Sequence, residues 1–361
     1  MSEIKLVNIK KEYESKKLLE DFSLTVNDGE FVCLLGPTGS GKSAVLRLIA
    51  GLDEITSGEL LIDGELSNQK IPKDRNAAMV FANEQLMPQN VYENIAFGLK
   101  LRKLNAEEIN IKVREIARIL NIEGILQKKP KTLTAHERQR VTIARRLVRE
   151  PSVCLFDDVL SSLNDDLTKI MRSELVKIHY RLGSTFIFAT RDQIDAMTMA
   201  TKIVVLNGGK IEQIGSPREI YTKPQTVFVA TYVGSPQINL ATGVLNLNGD
   251  NASVEFCGMN LEINKDSLVE NLSDKQNLTV AIRPENIKLS KNGNFEAEIK
   301  SVENHGAYKV LTLQLGEKTL NEWSVVTTGD EEIKVGDKLG FEIDVNKLHL
   351  FDQMSEQTIL K

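Results

Sequence analysis

The sequence predicts an α/β domain on a mostly parallel sheet, followed by a small all-β barrel or sandwich. Three observations carry that expectation. Up to about residue 206, short and nearly continuous apolar runs alternate with amphipathic helical stretches. From about Ser235 the chain turns to short alternating segments separated by Gly, Asn and Asp turn signals. At roughly 150 residues per domain, 361 residues hold about two. The expected boundaries are 1–234 and 235–361.

In the first domain, strands are expected at Phe31–Leu35, Ser152–Asp157, Thr185–Ala189 and Lys202–Leu206. Their continuous apolar character fits strands buried on both faces. Helices are expected at Ala44–Ala50, Glu107–Leu120, Glu137–Val148 and Leu167–Tyr180. In the second of these, Ile109, Val113, Ile116 and Leu120 form one helical face. Pro151 ends the Glu137–Val148 helix and opens the next strand. In the second domain, alternation marks Ala241–Leu247, Ala252–Phe256, Leu278–Ile282, Ala297–Val302, Val310–Leu315 and Leu339–Ile343. Asn248-Gly249-Asp250 and Asn292-Gly293-Asn294 mark turns.

Composition excludes several classes. With 45 Lys and Arg against 50 Asp and Glu, the formal charge is −5, without the electrostatic footprint of a dedicated nucleic-acid binder. No apolar run approaches the roughly 18 residues that span a bilayer. The N-terminus, charged from residue 3, is not a signal peptide. Cys33, Cys154 and Cys257 match neither a disulfide framework nor a metal site, and the first two read as small core residues. His136, His179, His305 and His349 share no metal-ligand spacing and read as surface or interface residues. Trp323 reads as packing, and Lys128-Lys129 as solvated charge.

The chemistry is carried by Gly36, Pro37, Thr38, Gly39, Ser40, Gly41, Lys42 and Ser43, which fit G-x-x-x-x-G-K-[ST] between a strand and a helix. The glycines let backbone amides wrap phosphates, Lys42 supplies positive charge, and Ser43 offers a hydroxyl to Mg²⁺. The helix N-terminus adds amides and a favourable dipole. The pattern predicts ATP or GTP binding. Asp157 ends an apolar strand where it can support Mg²⁺, and Asp158 follows, placed to orient or deprotonate water. No Asn-Lys-x-Asp motif is present, which disfavours a soluble GTPase.

The whole chain resembles the ATP-binding subunits of ABC importers, in particular the sugar-importer (maltose-type) group. The matching residues include Tyr13, the Gly36–Ser43 loop, Val91–Leu99, Arg138-Gln-Arg-Val141 and Leu155-Phe-Asp157. Asp192–Thr198, Ile282-Arg-Pro-Glu-Asn-Ile287 and Leu348-His-Leu-Phe-Asp352 match as well, the last two resembling the C-terminal regulatory (TOBE) domain. The resemblance implies an ABC ATPase domain of the P-loop NTPase class, with a helical subdomain at about 85–150, and an OB-like TOBE barrel. It implies ATP and Mg²⁺ as cofactors, and Tyr13 stacking on adenine. Partners would be permease membrane subunits, contacted by residues around 82–99, and a second ATP-binding subunit, identical or not. No nucleic acid and no direct membrane insertion are expected. The place would be the cytoplasmic face of the membrane, and the cargo carbohydrate.

The departures from the family pattern fall in the catalytic elements. The family's L-S-G-G-Q is Leu133-Thr134-Ala135-His136-Glu137, in a segment that in the family closes over ATP of the opposing subunit. Ala135 and His136 bring Cβ atoms where glycines allow close approach, and Glu137 brings a carboxylate toward an anion. Two like charges about 4 Å apart cost about 4 kcal/mol at an effective dielectric near 20. Asp158 stands for a longer Glu, Arg191 for a His that positions the γ-phosphate and water, Ala82 for a Gln, and Asn164 for an Asp. Ala44 replaces a hydroxyl residue near the α-phosphate, and Gln85 could stand in for the missing Gln. These changes imply bound nucleotide, slow hydrolysis and dimer closure less dependent on ATP, with Arg191 of one chain able to pair with Glu137 of the other. The alternative is a pseudo-ATPase partner of an active paralogue.

Overall fold

The computed structural model describes residues 2–13, 16–82, 84–249, 251–290, 293, 295–315, 322–328 and 332–361. It divides into two compact units, Met1–Pro217 and Arg218–Lys361. The division falls earlier than the expected boundary near residue 235. The reason is local: Arg283 of the second unit donates hydrogen bonds to the carbonyls of Tyr221, Ala230 and Val233, which ties residues 218–234 to that unit.

The first unit contains β1 (Ile4–Tyr13), β2 (Lys16–Val26), β3 (Phe31–Leu35), β4 (Ser57–Ile62), β5 (Glu65–Leu66), β6 (Ala77–Phe81), β7 (Val153–Asp157), β8 (Thr185–Thr190), β9 (Lys202–Asn207) and β10 (Lys210–Gly215). One sheet runs β10-β9-β3-β8-β7-β6, parallel except for the antiparallel β9–β10 pair. The other runs β2-β1-β4-β5, antiparallel throughout. β3 and β8 are buried at every position, as the continuous apolar runs required. Phe31, Phe156 and Phe186 interlock across these strands with ring centroids 5.0–5.5 Å apart. Such pairs add about 0.5–1.5 kcal/mol beyond area burial.

Helices α1 (Lys42–Ala50), α2 (Val91–Leu101), α3 (Ala106–Ile119), α4 (Ala135–Leu147), α5 (Asp165–Leu182) and α6 (Gln193–Met199) complete this unit. Three of them, α2 to α4, lie between β6 and β7 in the chain. Each is capped by its own sequence: Asn90, Asn105 and Thr134 accept the amide three residues on. The helix α2 and strands β1, β2, β4 and β6 had no place among the elements expected from periodicity.

The second unit pairs two five-stranded antiparallel sheets. One orders the strands at 259–263, 251–256, 239–248, 276–282 and 349–352; the other orders 287–289, 338–343, 295–304, 309–314 and 322–327. One apolar cluster joins both, including Leu245, Val280, Ile299, Leu313 and Phe341. Trp323 is buried in it, stacked on Phe256, and donates its Nε1–H to the Leu240 carbonyl at 3.1 Å. Asp250, Asn292 and Asn294 of the expected turns lie outside the described residues.

Two further expectations are corrected. His179 is buried, not superficial: its Nε2 lies 3.0 Å from the Gly29 carbonyl oxygen, and its ring packs on Phe31 and Phe186. Lys128 is not merely solvated, because its Nζ donates to Glu137 at 3.0 Å.

Candidate functional site

The loop between β3 and α1 is shaped by what its glycines permit. A Cβ on Gly36 would stand 2.1 Å from the Leu206 carbonyl oxygen, so only glycine fits against β9. Gly41, the α1 N-cap, holds φ at 101°, a left-handed conformation that L side chains rarely adopt. Inside this loop, Lys42 Nζ donates to the carbonyls of Gly36 (2.6 Å) and Pro37 (2.7 Å) and to Ser40 Oγ (3.2 Å). Burial lowers the Lys42 pKa, opposed by the nearby carboxylates of Asp158 and Asp157. Thr38 and Gly39 form the loop's turn, and Ala44 lies in the first turn of α1.

Ser43 Oγ donates to Asp157 Oδ1 at 2.8 Å, joining the first turn of α1 to the end of β7. Burial raises the Asp157 pKa, with the Ser43 bond opposing, so its charge is incompletely offset by the protein. Two hard oxygens beside an amide-lined loop fit a Mg²⁺ ion completed by phosphate and water. Among the described residues no group of three or more His, Cys, Asp or Glu could hold a metal alone. Mg²⁺ typically keeps several waters, so a two-oxygen protein site suits it.

Asp158 sits at φ 51°, with its amide bonded to the Ala189 carbonyl. Arg191 follows β8 and reaches back across the loop mouth. Its Nη2 lies 3.4 Å from Asp158 Oδ2, and its Nη1 3.5 Å from Thr38 Oγ1. The turn carrying Arg191 is braced from behind by Arg172 of α5, which bonds Asp195 Oδ1 and Asp192 Oδ2 at 2.5 Å each. Thr190 closes the brace, donating to Asp195 Oδ2 at 2.7 Å and accepting from the Asp192 amide.

Tyr13 is exposed, at the end of β1, beside the bidentate Arg47–Asp53 pair. Lys11 Nζ lies 4.3 Å from the centroid of its ring. Interaction with Asp53 raises the Tyr13 pKa. The 134–137 segment opens α4 as a capping box: Glu137 accepts from the Thr134 amide at 2.9 Å, and Thr134 Oγ1 accepts from the Glu137 amide. The Glu137 carboxylate is therefore folded onto its own helix and held by Lys128, and the bond from the Thr134 amide, followed by that from Lys128, lowers its pKa. Its expected approach to an anion as a bare charge needs that correction. The His136 Nε2 is buried without a partner, and burial lowers its pKa. Ala135 lines a groove of about 800 Å³ with Ala82, Gln85, Lys131, Gln139 and Ser162. Glu84, beside Gln85, is clamped by Arg145 and Arg146.

The structure thus gathers Gly36–Ser43, Asp157, Asp158 and Arg191 at one mouth, and places Thr134–Glu137 at the start of α4. Residues 19–161 match the ABC transporter family and residues 280–351 the TOBE domain. The chain is 38% identical to an uncharacterized ABC transporter ATP-binding protein, YurJ of Bacillus subtilis, over 99% of its own length and all of that protein's. This chain belongs to the ATP-binding subunits of ABC transporters. It is also 41% identical, over 98% of its length and 94% of the relative, to the sn-glycerol-3-phosphate import ATP-binding protein UgpC of Psychromonas ingrahamii. Among solved structures, cbiO1 of Clostridium perfringens, part of an ABC transporter complex, matches 60% of this chain and 89% of its own, at 26% identity and a TM-score of 0.58.

Sequence reasoning missed Arg172, Asp192 and Asp195 as supports of the site, and Lys128 as the partner of Glu137. The D-x-x-D spacing at 192–195 was the available signal for the brace.

Proposed function

We propose that this chain drives import of a small polar solute, binding MgATP at Gly36–Ser43 and hydrolysing it slowly. The observation that carries the reading is the Ser43–Asp157 bond at the mouth of the glycine loop, with Lys42 held inside. When bound, Mg²⁺ offsets negative charge on the terminal phosphates. Lys42 exchanges its loop carbonyls for phosphate oxygens, Ser43 and Asp157 hold the metal side, and Asp158 orients water. Two such subunits close on each other, bringing Thr134, Ala135, His136 and Glu137 of one toward the loop of the other. Permease subunits dock at the groove lined by Ala82, Gln85 and Gln139, at the cytoplasmic face of the membrane. The cargo is a carbohydrate or a phosphorylated polyol, the latter supported by likeness to glycerol-3-phosphate importers.

A second reading, a pseudo-ATPase that binds nucleotide for a more active partner, is favoured by the Asp158–Arg191 contact. The candidate water-orienting carboxylate faces a guanidinium that cannot accept a proton. Nucleotide affinity and Mg²⁺-dependent phosphate release, measured separately on the full chain, distinguish the two. Binding with Mg²⁺-dependent turnover slower than about 1 s⁻¹ supports the slow motor, and faster turnover overturns the slow hydrolysis. Binding without turnover supports the second reading, and no binding overturns both.

A further inference from the structure

Lys11 lies two residues before Tyr13 on β1, and its Nζ stands 4.3 Å from the centroid of the Tyr13 ring. The two side chains differ sharply in their access to water. Lys11 is 7% exposed, and its ammonium donates to the Glu54 carbonyl at 2.8 Å. Tyr13 is 46% exposed although Lys11 already covers one of its faces. Withdrawing an ammonium from water is unfavourable, and one carbonyl offsets only part of that loss. Attraction to the ring face supplies a second contribution, larger for a desolvated cation than for an exposed one.

The hairpin that carries both residues is fastened to the phosphate loop. A Cβ on Gly41 would stand 2.8 Å from Leu19 Cδ2 and 3.2 Å from the Leu18 carbonyl oxygen, so β2 packs directly on the loop. The segment after α1 holds the ring in place. Asp53, gripped bidentately by Arg47 of α1, interacts with the Tyr13 hydroxyl. Glu54, the next residue, supplies the carbonyl that anchors Lys11. Neighbouring residues therefore fix the hydroxyl end of the ring and the cation on its face.

We propose that Lys11 is a positioning residue for nucleotide binding: it closes one face of Tyr13 and turns the other toward the purine base. This role rests on reading Gly36–Ser43 as the phosphate site and Tyr13 as the base platform. Lys11 itself stays behind the ring and touches no nucleotide. A cation over one face draws π density toward itself, leaving the far face less electron-rich and better matched to an electron-rich purine. A ring already fixed also loses less freedom when the base arrives. Lys11 thus acts on the base-dependent part of affinity and leaves the phosphate-dependent part alone.

The test is calorimetric titration of the full chain with ADP and with pyrophosphate, each with Mg²⁺. The ratio of the two affinities isolates the base, because a distorted phosphate loop weakens both ligands. Tyr13→Leu is expected to lower the ratio about tenfold or more. Lys11→Gln, which keeps a donor for the Glu54 carbonyl but loses the charge, lowers it about threefold or more. Lys11→Arg, which keeps a cation, restores most of it. In the Tyr13→Leu background Lys11→Gln has no further effect, since the ring it acts through is gone. If Tyr13→Leu lowers the ratio and Lys11→Gln does not, Lys11 has no such role and the base platform stands. Equal weakening of both ligands by Lys11→Gln marks a purely structural residue and overturns the proposal. A ratio unchanged by Tyr13→Leu, or no ADP binding by the wild type, removes the platform and the proposal together.

Discussion

Arg191 and Asp158 of the same chain face each other across the mouth of the phosphate loop, Nη2 to Oδ2 at 3.4 Å. Both side chains are substantially exposed, so the pair contributes at most about 1 kcal/mol to folding. Its consequence is chemical. A guanidinium beside Asp158 competes with water for the carboxylate.

Arg191→His is expected to raise ATP turnover about tenfold or more, because a neutral imidazole both accepts and donates. Adding Asp158→Glu lengthens the carboxylate and should raise it further, and the two effects should not add, since the groups touch. Phosphate release at saturating MgATP measures this. Turnover unchanged in both variants removes the contact from any account of slow hydrolysis.

The Arg172 brace makes a separate prediction about the scaffold. Asp195 is 3% exposed, and burial raises its pKa against the bonds from Thr190 and Arg172. Arg172→Met leaves that carboxylate without its cation, at a cost of about 3–5 kcal/mol. Arg172→Met/Asp195→Asn should recover much of the loss, because the orphaned charge is gone. Denaturant unfolding of the three proteins is the measurement. Equal destabilisation of the single and double variants means that shape rather than charge is at stake.

Glu137 is expected to behave as a capping residue. Glu137→Ala loses the reach to the Thr134 amide and the bond from Lys128, costing about 1 kcal/mol. That corresponds to about 3 °C in melting temperature for a unit of this size. Glu137→Gln keeps the amide contact and should lose less than half as much. If both variants melt as the wild type does, the capping box contributes nothing to stability.

How much of this was legible follows from sequence separation. β3 and β8 are buried on both faces, so their apolar runs announce them without any knowledge of their neighbours. The phosphate loop was legible because its demands fall on eight consecutive residues. β1 and β2 escaped because register shifts between Leu6 and Lys11 break the alternation that would reveal them. The site's supports were hidden for another reason. Arg172 meets Asp192 and Asp195 from a different helix, and on α5 it reads as one more surface charge. Lys128 meets Glu137 nine residues on, across a turn that no periodicity describes. A cavity around Arg283 in the second unit draws on residues near 220, 283 and 347, which only the fold brings together.

The cavity also makes the second unit acid-sensitive over a defined window. His349, which lines it, has a folded pKa of about 4, against an ordinary value of 6.5. Above pH 6.5 the imidazole is neutral in both folded and unfolded chains, and its contribution is constant. Between pH 6.5 and 4 the unfolded chain takes up the proton and the folded one does not, so stability falls as pH falls. The full loss is about 3 kcal/mol at 1.36 kcal/mol per unit. Arg283 and Lys347 supply the repulsion, with burial the larger cause. Asp352, whose pKa is lowered to about 2, titrates below this window. His349→Gln should flatten the dependence between pH 6.5 and 4 while leaving the lower acid limb intact. Thermal unfolding followed through Trp323, which is buried in the same unit, reads the difference directly. An unchanged slope in the variant would mean that His349 protonates at its ordinary pKa, and that the cavity lacks the positive field assigned to it.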